Sequence, residues 1–502
     1  MRSRAPRGES RPRARSAQHG GRSQGRRAAA RTAAHPAGPA AALTALALLL
    51  GATPPAPAAE PDFSRASVEG LELLQQIVRL DTSNPPGNET PVAKALEAFL
   101  TREGLACEVL EAAPGRGNLV CRLKGGGEAR PLLVMAHMDV VGVGEGKWKV
   151  PPFSGTLRDG YLYGRGTLDD KGMAAAAAEA IALLARARQP LARDVLFVGT
   201  ADEESSGAMG VQWLLEHRPD LLQAEMVLNE GGRILKVDGQ IVVAGVQNDE
   251  KRYLDLKLVA SGASGHSSLP GPDNPIVALA RGIDRLAAHR FPPAATPAVR
   301  AWFEALSRSE DAPTAHCMTA LADPSEGAMC ADILSRRPEW NALLRTTCTP
   351  TIVRAGFREN AIPSQAEANL NCRLLPGVDP RRHVAELERA LGELPVKIET
   401  ANDWGKDGPP PASPMDGPLP QAIRAALKRL APEAAVVAYT SPGGTDSRHF
   451  RQHGVPAYGL LPFPLEGEEP RTMHADNERL NQESFAFGVR LMFEVLREAA
   501  GH

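Results

Sequence analysis

From about Ser67 onward, short apolar segments of strand length alternate with segments of helix length. Buried strands are predicted at residues 132–135, 194–199, 226–228 and 241–246, and an alanine-rich helix at 172–186. Strands that alternate with helices form a largely parallel sheet with helices on both faces. The predicted fold class is therefore α/β, with a mostly parallel mixed sheet covered by helices.

The first 59 residues differ in composition from the rest of the chain. They contain ten Arg, no Lys and one acidic residue, Glu9, with an apolar stretch at 40–52 and Ala-Pro-Ala at 56–58. A basic start, a short apolar run and a small-residue motif are typical of a secretory signal. We therefore expect a secreted or periplasmic protein with no stable membrane anchor after processing. A disordered basic arm that binds nucleic acid is the alternative.

The charge and the cysteines of the remaining chain narrow its partners and its compartment. Without residues 1–59, Lys+Arg falls from 57 to 47 and Asp+Glu from 59 to 58, which changes the net charge from −2 to −11. An acidic body argues against nucleic-acid binding. Six scattered cysteines are too few for a disulfide framework. Cys317 and Cys330 could form a local disulfide in an oxidising compartment, and free buried thiols are the alternative.

Polar side chains follow several of the predicted strands directly, where open α/β sheets carry their functional groups. The four clusters are His137 and Asp139 in LLVMAHMDVV, Asp169 and Asp170 before a helix in YGRGTLDDKG, Glu203 and Glu204 in TADEESSG, and Glu230 in VLNEGG. Far along the chain, His474 in RTMHADNERL adds a second histidine before a helical tail. Each cluster alone has a simple structural explanation, because Asp169 could cap a helix and an acidic run could complement a helix dipole. Their combination points to a metal site.

Two histidines and several carboxylates, with no cysteine ligand, suit zinc or another borderline divalent ion. One histidine and one terminal carboxylate for each ion, with one carboxylate between them, gives a two-metal site that activates water and stabilises an oxyanion. The predicted roles are Asp139 orienting His137, Asp169 bridging, Glu204 and Glu230 as terminal ligands, and Glu203 as general base.

The motifs HMDVV, GRGTLDDKG, DEE, NEGG and HADNE together resemble the co-catalytic zinc exopeptidases. This family includes carboxypeptidase S, glutamate carboxypeptidase, acetylornithine deacetylase and succinyl-diaminopimelate desuccinylase. The resemblance implies two Zn²⁺ ions, one held by His137, Asp169 and Glu230 and the other by Asp169, Glu204 and His474. It further implies Glu203 as base and then acid, Asp139 orienting His137, and a cis peptide bond after Asp169.

A second module interrupts the first. Predicted elements between residues 253 and 399 follow the order β-α-β-β-α-β, which suits a ferredoxin-like fold and resembles the family's lid or dimerisation domain. The predicted organisation is a signal at 1–59, a catalytic domain at 60–249 and 400–502, and the inserted lid domain at 250–399. Residues 291–341 are interpreted as an insertion in the lid. A homodimer through the lid is the implied assembly.

Further residues are assigned to the substrate by resemblance. His266 in GHSSLP stands where the family uses a histidine to stabilise the tetrahedral oxyanion, from its own chain after lid closure or from a partner subunit. Asn360 and Arg373 would bind substrate, since a guanidinium can hold a carboxylate through two parallel hydrogen bonds. Gly443 and Gly444 in SPGGTDSRHF lie in a loop that resembles a substrate-contacting loop and permit close backbone approach.

The segments WKVPPFSG and LLRTTCTPTIVRAGFRENAIP resemble the carboxypeptidase S branch most. The resemblance implies zinc-dependent hydrolysis of the amide bond next to a free C-terminal carboxylate in small peptides, by a hydroxide bridging two zinc ions, with Glu203 as general base. An N-acyl-amino-acid amidohydrolase is the alternative enzyme. A non-catalytic periplasmic binding protein is the remote alternative.

Overall fold

The computed structural model describes residues 61–144, 146–400 and 410–501. The predicted signal segment at 1–59 lies outside the described residues, so secretion stays a prediction. Within the described ranges, no helix combines the length and the apolar character needed to cross a membrane.

The helices are α1 (Phe63–Val78), α2 (Thr90–Arg102), α3 (Lys171–Arg186), α4 (Val211–His217), α5 (Pro275–Ala288), α6 (Pro297–Leu306), α7 (Ala312–Thr319), α8 (Gly327–Leu334), α9 (Pro338–Leu344), α10 (Pro380–Leu391), α11 (Pro418–Leu430), α12 (Ser447–Gln452) and α13 (Gln482–Ala500). The first strands are β1 (Ala106–Glu111), β2 (Gly117–Leu123), β3 (Leu132–His137), β4 (Thr156–Arg158), β5 (Tyr161–Tyr163), β6 (Val195–Thr200), β7 (Met226–Asn229), β8 (Arg233–Val237) and β9 (Gln240–Glu250). The later strands are β10 (Arg252–Ser261), β11 (Gly265–His266), β12 (Thr347–Ala355), β13 (Ala361–Ile362), β14 (Gln365–Leu374), β15 (Val396–Thr400), β16 (Ala435–Ser441), β17 (Ala457–Gly459), β18 (Pro464–Leu465) and β19 (Arg479–Asn481).

The larger sheet has ten strands. Nine follow the order β1-β2-β6-β3-β7-β17-β9-β8-β18, and β16 pairs with β9 outside that order. Its central strands β6, β3, β7 and β17 are parallel, whereas β1-β2, β2-β6 and β8-β9 are antiparallel pairs. This mixed sheet between helices confirms the predicted α/β fold class.

Strand β3 shows why its sequence is continuously apolar. Every residue of β3 is buried, and successive side chains point to opposite faces of the sheet. Leu132 and Val134 pack with α1, α2, α3 and α13 on one face. Leu133 and Met135 pack with α4 and α12 on the other. A strand that is covered on both faces needs an unbroken apolar run rather than alternation.

Helix α3 carries the chain from the site back across the sheet. Alanine has the best helix propensity, and the run Ala174–Ala178 is fully buried, so α3 packs closely against α1 and α13. The helix begins immediately after Asp169 and Asp170. Its rigid packing therefore fixes where those two carboxylates lie.

Parallel strands bring the sequence clusters to one edge of the sheet. In the register of β3 and β6, His137 pairs with Thr200, and β7 lies on the other side of β3. The chain segments that follow these three strands carry Asp139, Glu203 and Glu230. Residues far apart in the sequence are thus collected at the carboxyl ends of neighbouring strands.

A smaller antiparallel sheet has the strand order β12-β14-β10-β15. Strand β14 alternates between buried and more exposed residues, because one face of this sheet packs on α5 and α10. The chain order β10-α5-β12-β14-α10-β15 is the predicted β-α-β-β-α-β order.

The segment interpreted as an insertion in the lid packs elsewhere. Trp302 and Phe303 of α6 form a core with Val243 of β9 and Tyr439 of β16, which belong to the larger sheet, and with residues of α7, α8 and α9. Assigning residues 291–341 to the lid by chain position was therefore wrong for α6 to α9. Their apolar residues cover the larger sheet, where β9 and β16 leave a face to be buried.

All six cysteines are paired. Cys317–Cys330, the pair considered from the sequence, is a disulfide between α7 and α8. Cys107–Cys121 and Cys348–Cys372 are also disulfides, and free buried thiols are absent from the described residues. Each of these two pairs joins directly opposite residues of antiparallel strands. The absence of a sequence-level framework motif was therefore a poor guide to disulfide content.

Candidate active site

Asp169 lies between the two predicted histidine ligands. Its Oδ1 is 2.8 Å from Nε2 of His137, and its Oδ2 is 3.0 Å from Nε2 of His474. Nε2 of His474 is also 3.1 Å from Oε1 of Glu204. One carboxylate thus presents a separate oxygen to each histidine, which is the arrangement expected of a residue that bridges two metal ions.

The neighbouring carboxylate has different surroundings. Both side-chain oxygens of Asp170 are buried and have no hydrogen-bond partner among the described residues. The contacts with both histidines belong to Asp169, in agreement with its choice as the bridging residue. The Asp169–Asp170 peptide bond is cis, as the resemblance implied.

Asp139 supports the site through two different groups. Its backbone oxygen is 3.0 Å from Nδ1 of His137, and its Oδ1 is 3.5 Å from the same nitrogen. Its carboxylate accepts hydrogen bonds from the backbone amides of Glu203 (3.1 Å) and Glu204 (3.0 Å) and from the side chain of Asn84 (2.9 Å). Asp139 therefore contacts the ring of His137 and also positions the acidic pair that follows β6.

Glu478 supports the bridging residue from behind. Its buried carboxylate accepts hydrogen bonds from the backbone amides of Gly166, Leu168 and Asp169 and from the side chain of Arg165. Because Glu478 follows His474 by four residues, this side chain ties the segment that carries His474 to the loop that carries Asp169. Glu478 is the last residue of the motif HADNE, but the sequence alone gave it no predicted role.

The site opens into a cavity of about 1040 Å³. Its lining includes Asp169, Glu203, Glu204, Glu230 and His474 from the predicted metal site, and Arg373, Gly443 and Gly444 from the predicted substrate residues. Burial raises the pKa of Glu203 well above its usual value, and the nearby carboxylates of Asp446 and Glu204 raise it further, against the effect of His137. A carboxyl group that binds a proton this readily suits proton transfer.

The donor set fits a divalent metal centre. Nε2 of His137 and oxygens of Asp169 and Glu204 lie within 4.8 Å of one another. Hydrogen bonds with Asp169 and Glu204 raise the pKa of His474 to about 10. Imidazole nitrogens that face buried carboxylates, with no thiolate ligand among them, are donors typical of zinc and similar ions.

Residues 133–498 match the model of Peptidase family M20/M25/M40. The chain belongs to this family. It is 32% identical over 382 residues to human "N-fatty-acyl-amino acid synthase/hydrolase PM20D1", covering 74% of each chain. It is 28% identical over 392 residues to "Probable carboxypeptidase S-like 2" of Dictyostelium discoideum, covering 76% of this chain and 74% of that one.

A solved M20 structure shows the same fold. The metallo-carboxypeptidase Sso-CP2 from Sulfolobus solfataricus superposes with a TM-score of 0.64 at 20% identity, covering 86% of this chain and 99% of that one. Together these similarities confirm the predicted family, with its carboxypeptidase S branch, and confirm that the protein is a peptidase-class hydrolase of the metal-dependent M20 type.

Two predicted site residues, His266 and Asn360, do not line the cavity. His266 lies on β11, which pairs with β13, and its Nδ1 is 2.8 Å from Oγ of Ser268. The backbone oxygen of Asn360 accepts a hydrogen bond from the amide of Ser267. Both side chains are exposed and neither lines the cavity. The structure brings His266 and Asn360 together outside the lining of the cavity, and their roles stay predictions.

Arg373 is the predicted substrate residue with the clearest setting. Its guanidinium lies 4.7 Å from the ring centre of Tyr253, the residue opposite it in the β10-β14 pair. Nε donates a hydrogen bond to Asn371. Arg448 lines the same cavity. It is part of the motif SPGGTDSRHF, but the sequence alone gave it no predicted role. Its position four residues after Gly444, a predicted substrate-contacting residue, was the signal that could have identified it.

Proposed function

We propose that this M20 protein hydrolyses the amide bond next to a free C-terminal carboxylate in small peptides, with two metal ions, expected to be zinc. The observation that carries the proposal is the position of Asp169, whose two oxygens face His137 and His474 separately. Glu203 and Arg373 line the same cavity, so a proton-transfer group and a carboxylate-binding group lie where a peptide end would bind.

The proposed ligands are His137, Asp169 and Glu230 for one ion, and Asp169, Glu204 and His474 for the other. Bound metal ions of this kind would supply Lewis acidity, lowering the pKa of a water and stabilising negative charge on the substrate oxygen. Asp139 and Glu478 would fix the ligands in place, since residues that orient metal ligands also tune metal affinity.

Glu203 would transfer a proton from the attacking water to the leaving amine. It takes the proton of the attacking water and then gives it to the leaving amine nitrogen, which breaks the amide bond. Arg373 would hold the terminal carboxylate with two parallel hydrogen bonds. This places the scissile bond one residue from the guanidinium, so only the last amino acid of the substrate is released.

Hydrolysis of N-acyl amino acids is the second candidate. This reaction would also cleave an amide bond next to a free carboxylate. Only the group on the carbonyl side of that bond differs, because it is an acyl chain instead of a peptide. The cavity of about 1040 Å³ supports it, because apolar side chains such as Leu375, Val378 and Met473 line part of the wall and could contact an acyl chain. Similarity to PM20D1 supports it as well.

The deciding experiment uses the full chain loaded with zinc. Blocked dipeptides, free dipeptides and N-acyl amino acids are offered at equal concentration, and the products are identified by mass spectrometry. Faster cleavage of blocked dipeptides, with release of the last residue, supports the carboxypeptidase. Faster cleavage of N-acyl amino acids selects the second candidate, and no cleavage of any substrate with a free carboxylate contradicts both.

We propose further that the protein acts outside the cytosol. Support comes from the signal-like composition of residues 1–59 and from three disulfides, because disulfides persist in oxidising compartments. Cell fractionation with N-terminal sequencing of the mature protein tests this. A protein that is recovered from the cytosol with residues 1–59 intact contradicts it.

A further inference from the structure

Arg448 is a cation of the cavity whose side chain has no hydrogen-bond or ion-pair partner among the described residues. It lies in α12, which packs on the larger sheet, and it lines the cavity that holds the metal-site residues. Among the described residues, its side chain makes no hydrogen bond and no ion pair. By contrast, Arg165 and Arg451, which do not line the cavity, pair with buried carboxylates.

Two nearby acidic groups make no hydrogen bond or ion pair with Arg448 among the described residues. Burial raises the pKa of Asp446, the positive charge of Arg448 lowers it, and Oδ1 of Asp446 is buried without a hydrogen-bond partner. Oδ2 of Asp446 accepts a hydrogen bond from Thr200. Oε2 of Glu250 accepts hydrogen bonds from Thr445 and Gln247 and pairs with Arg451. The guanidinium of Arg448 thus keeps its donors available on the cavity wall.

Gly444 leaves the space that this guanidinium occupies. A Cβ at Gly444 would lie 3.1 Å from Nη1 of Arg448, which is tighter than an ordinary contact. A side chain at this position would therefore press on the guanidinium. Gly444, which is predicted to permit close approach of the substrate, therefore also leaves space for the guanidinium of Arg448.

Arg373 reaches the same cavity from the smaller sheet. Only its Nε is hydrogen-bonded, to Asn371, so both terminal nitrogens have no partner among the described residues. Burial lowers the pKa of Arg373, whereas the acidic groups of Tyr253, Asp255 and Glu203 raise it. Arg373 and Arg448 both line the cavity. Two guanidinium groups with free donors, one from each sheet, offer an anion in the cavity charge-assisted hydrogen bonds.

We propose that Arg448 is a second carboxylate-binding residue, and that Arg448 from the larger sheet and Arg373 from the smaller sheet hold the same terminal carboxylate of the substrate. This rests on the proposed function and deepens it. Because each sheet contributes one guanidinium, a bound carboxylate would also link the two sheets across the cavity. A substrate with a neutral end would lack that link.

The test compares matched substrates with the zinc-loaded full chain. One blocked dipeptide ends in a free carboxylate and its partner ends in a carboxamide, and kcat and KM are measured for both. The variants are Arg448→Ala, Arg448→Lys, Arg373→Ala and the double alanine variant. Arg381→Ala is the control, since Arg381 is exposed and does not line the cavity.

The wild-type protein should prefer the free carboxylate. Arg448→Ala should lower kcat/KM for that substrate about 10- to 100-fold, mainly through KM, because a charge-assisted hydrogen-bonded pair is lost. The loss for the carboxamide substrate should be much smaller, because no charged pair is broken there. Arg448→Lys should recover part of the loss. The double variant should lose less than the product of the two single losses, because both residues bind one group.

Other results overturn the assignment. An unchanged preference in Arg448→Ala, or an equal loss for both substrates, removes Arg448 from the carboxylate site. A loss confined to substrates that end in Asp or Glu means that Arg448 contacts the side chain instead. A wild-type protein that cleaves both substrates equally contradicts the proposed function itself, which separates that failure from a failure of the role of Arg448.

Discussion

The carboxylate of Glu478 accepts a hydrogen bond from the backbone amide of Asp169 at 3.2 Å. The same side chain accepts from the amides of Leu168 at 2.8 Å and Gly166 at 3.1 Å. It has 0% exposure, so water does not compete for these bonds. Glu478 therefore holds the backbone that presents Asp169 to the two histidines.

Glu478→Gln should lower zinc affinity about 10- to 100-fold, as expected when a residue that supports a metal ligand is changed. The amide group offers one acceptor instead of two oxygens, so some of the three backbone donors lose their partner. Zinc affinity is measured by competition with a chromogenic chelator, and circular dichroism checks the fold.

Arg165→Met separates the two parts of this interaction. It removes the ion pair with Glu478 and leaves the three backbone donors in place. We expect lower stability with nearly unchanged zinc affinity. An equal loss of affinity in Arg165→Met and Glu478→Gln would assign the effect to the ion pair and contradict the role of the backbone contacts.

Glu203→Gln should lower turnover strongly and retain metal. Its side chain is assigned to proton transfer, whereas its backbone amide, which bonds Asp139, is unchanged by the substitution. We expect kcat to fall about 10²- to 10⁴-fold, with two metal ions per chain by elemental analysis. Glu216→Gln, on the exposed face of α4, is the control. Loss of metal from Glu203→Gln would contradict the assignment.

His266→Ala should lower kcat strongly, although His266 is exposed and lies outside the cavity. The predicted oxyanion role requires the histidine to reach the site by movement of its own chain or from a second subunit. A homodimer would use the smaller sheet, whose edge strand β12 exposes Ile352 and Val353. The measurement is kcat for His266→Ala at saturating substrate, with Ser325→Ala as an exposed control.

Mixing two inactive variants distinguishes these routes. His266→Ala and Glu203→Gln are combined, and activity is followed over time. Recovered activity indicates that one subunit supplies His266 to the other, because a mixed dimer has one complete site. No recovery, with His266→Ala inactive alone, indicates movement within one chain. Full activity of His266→Ala would contradict the predicted role.

Three of the residues assigned to the metal site could be picked out because each stands at or shortly after the end of a strand. His137, Glu203 and Glu230 need only the rule that parallel strands end at one edge. The identity of the bridging residue came from a motif, and the contacts of Asp169 agree with it.

The remaining errors have a common physical origin. The packing of α6 to α9 on β9 and β16 depends on a strand that begins at Ala435, about one hundred residues later. The pair Cys107–Cys121 depends on the register of β1 and β2, which the spacing of the cysteines does not encode. The placement of Arg448 on the cavity wall depends on how α12 packs on the larger sheet. Such tertiary contacts leave no local pattern.

Glu179 gives the fold a dependence on pH that is separate from the metal site. It is fully buried in α3, with Oε1 at 3.2 Å from Nη1 of Arg186 and Oε2 without a partner among the described residues. Arg186 is shared with Glu69 and Glu103. Burial raises the pKa of Glu179 to about 8, against the opposing effect of Arg186.

The sign of the effect follows from the two pKa values of Glu179, about 8 when folded and 4.5 as the ordinary value. Below pH 4.5 both states hold the proton, so there is no contribution. As the pH rises from 4.5 to about 8, the unfolded state loses its proton first and stability falls.

Glu179→Gln cannot ionise, so its advantage in stability over the wild type should grow across this range to on the order of 3 kcal/mol. Urea unfolding at pH 5, 6, 7 and 8 measures it. Glu72→Gln, exposed on α1, should show no such trend, and an advantage of Glu179→Gln that stays constant with pH would contradict the buried, protonated state of Glu179.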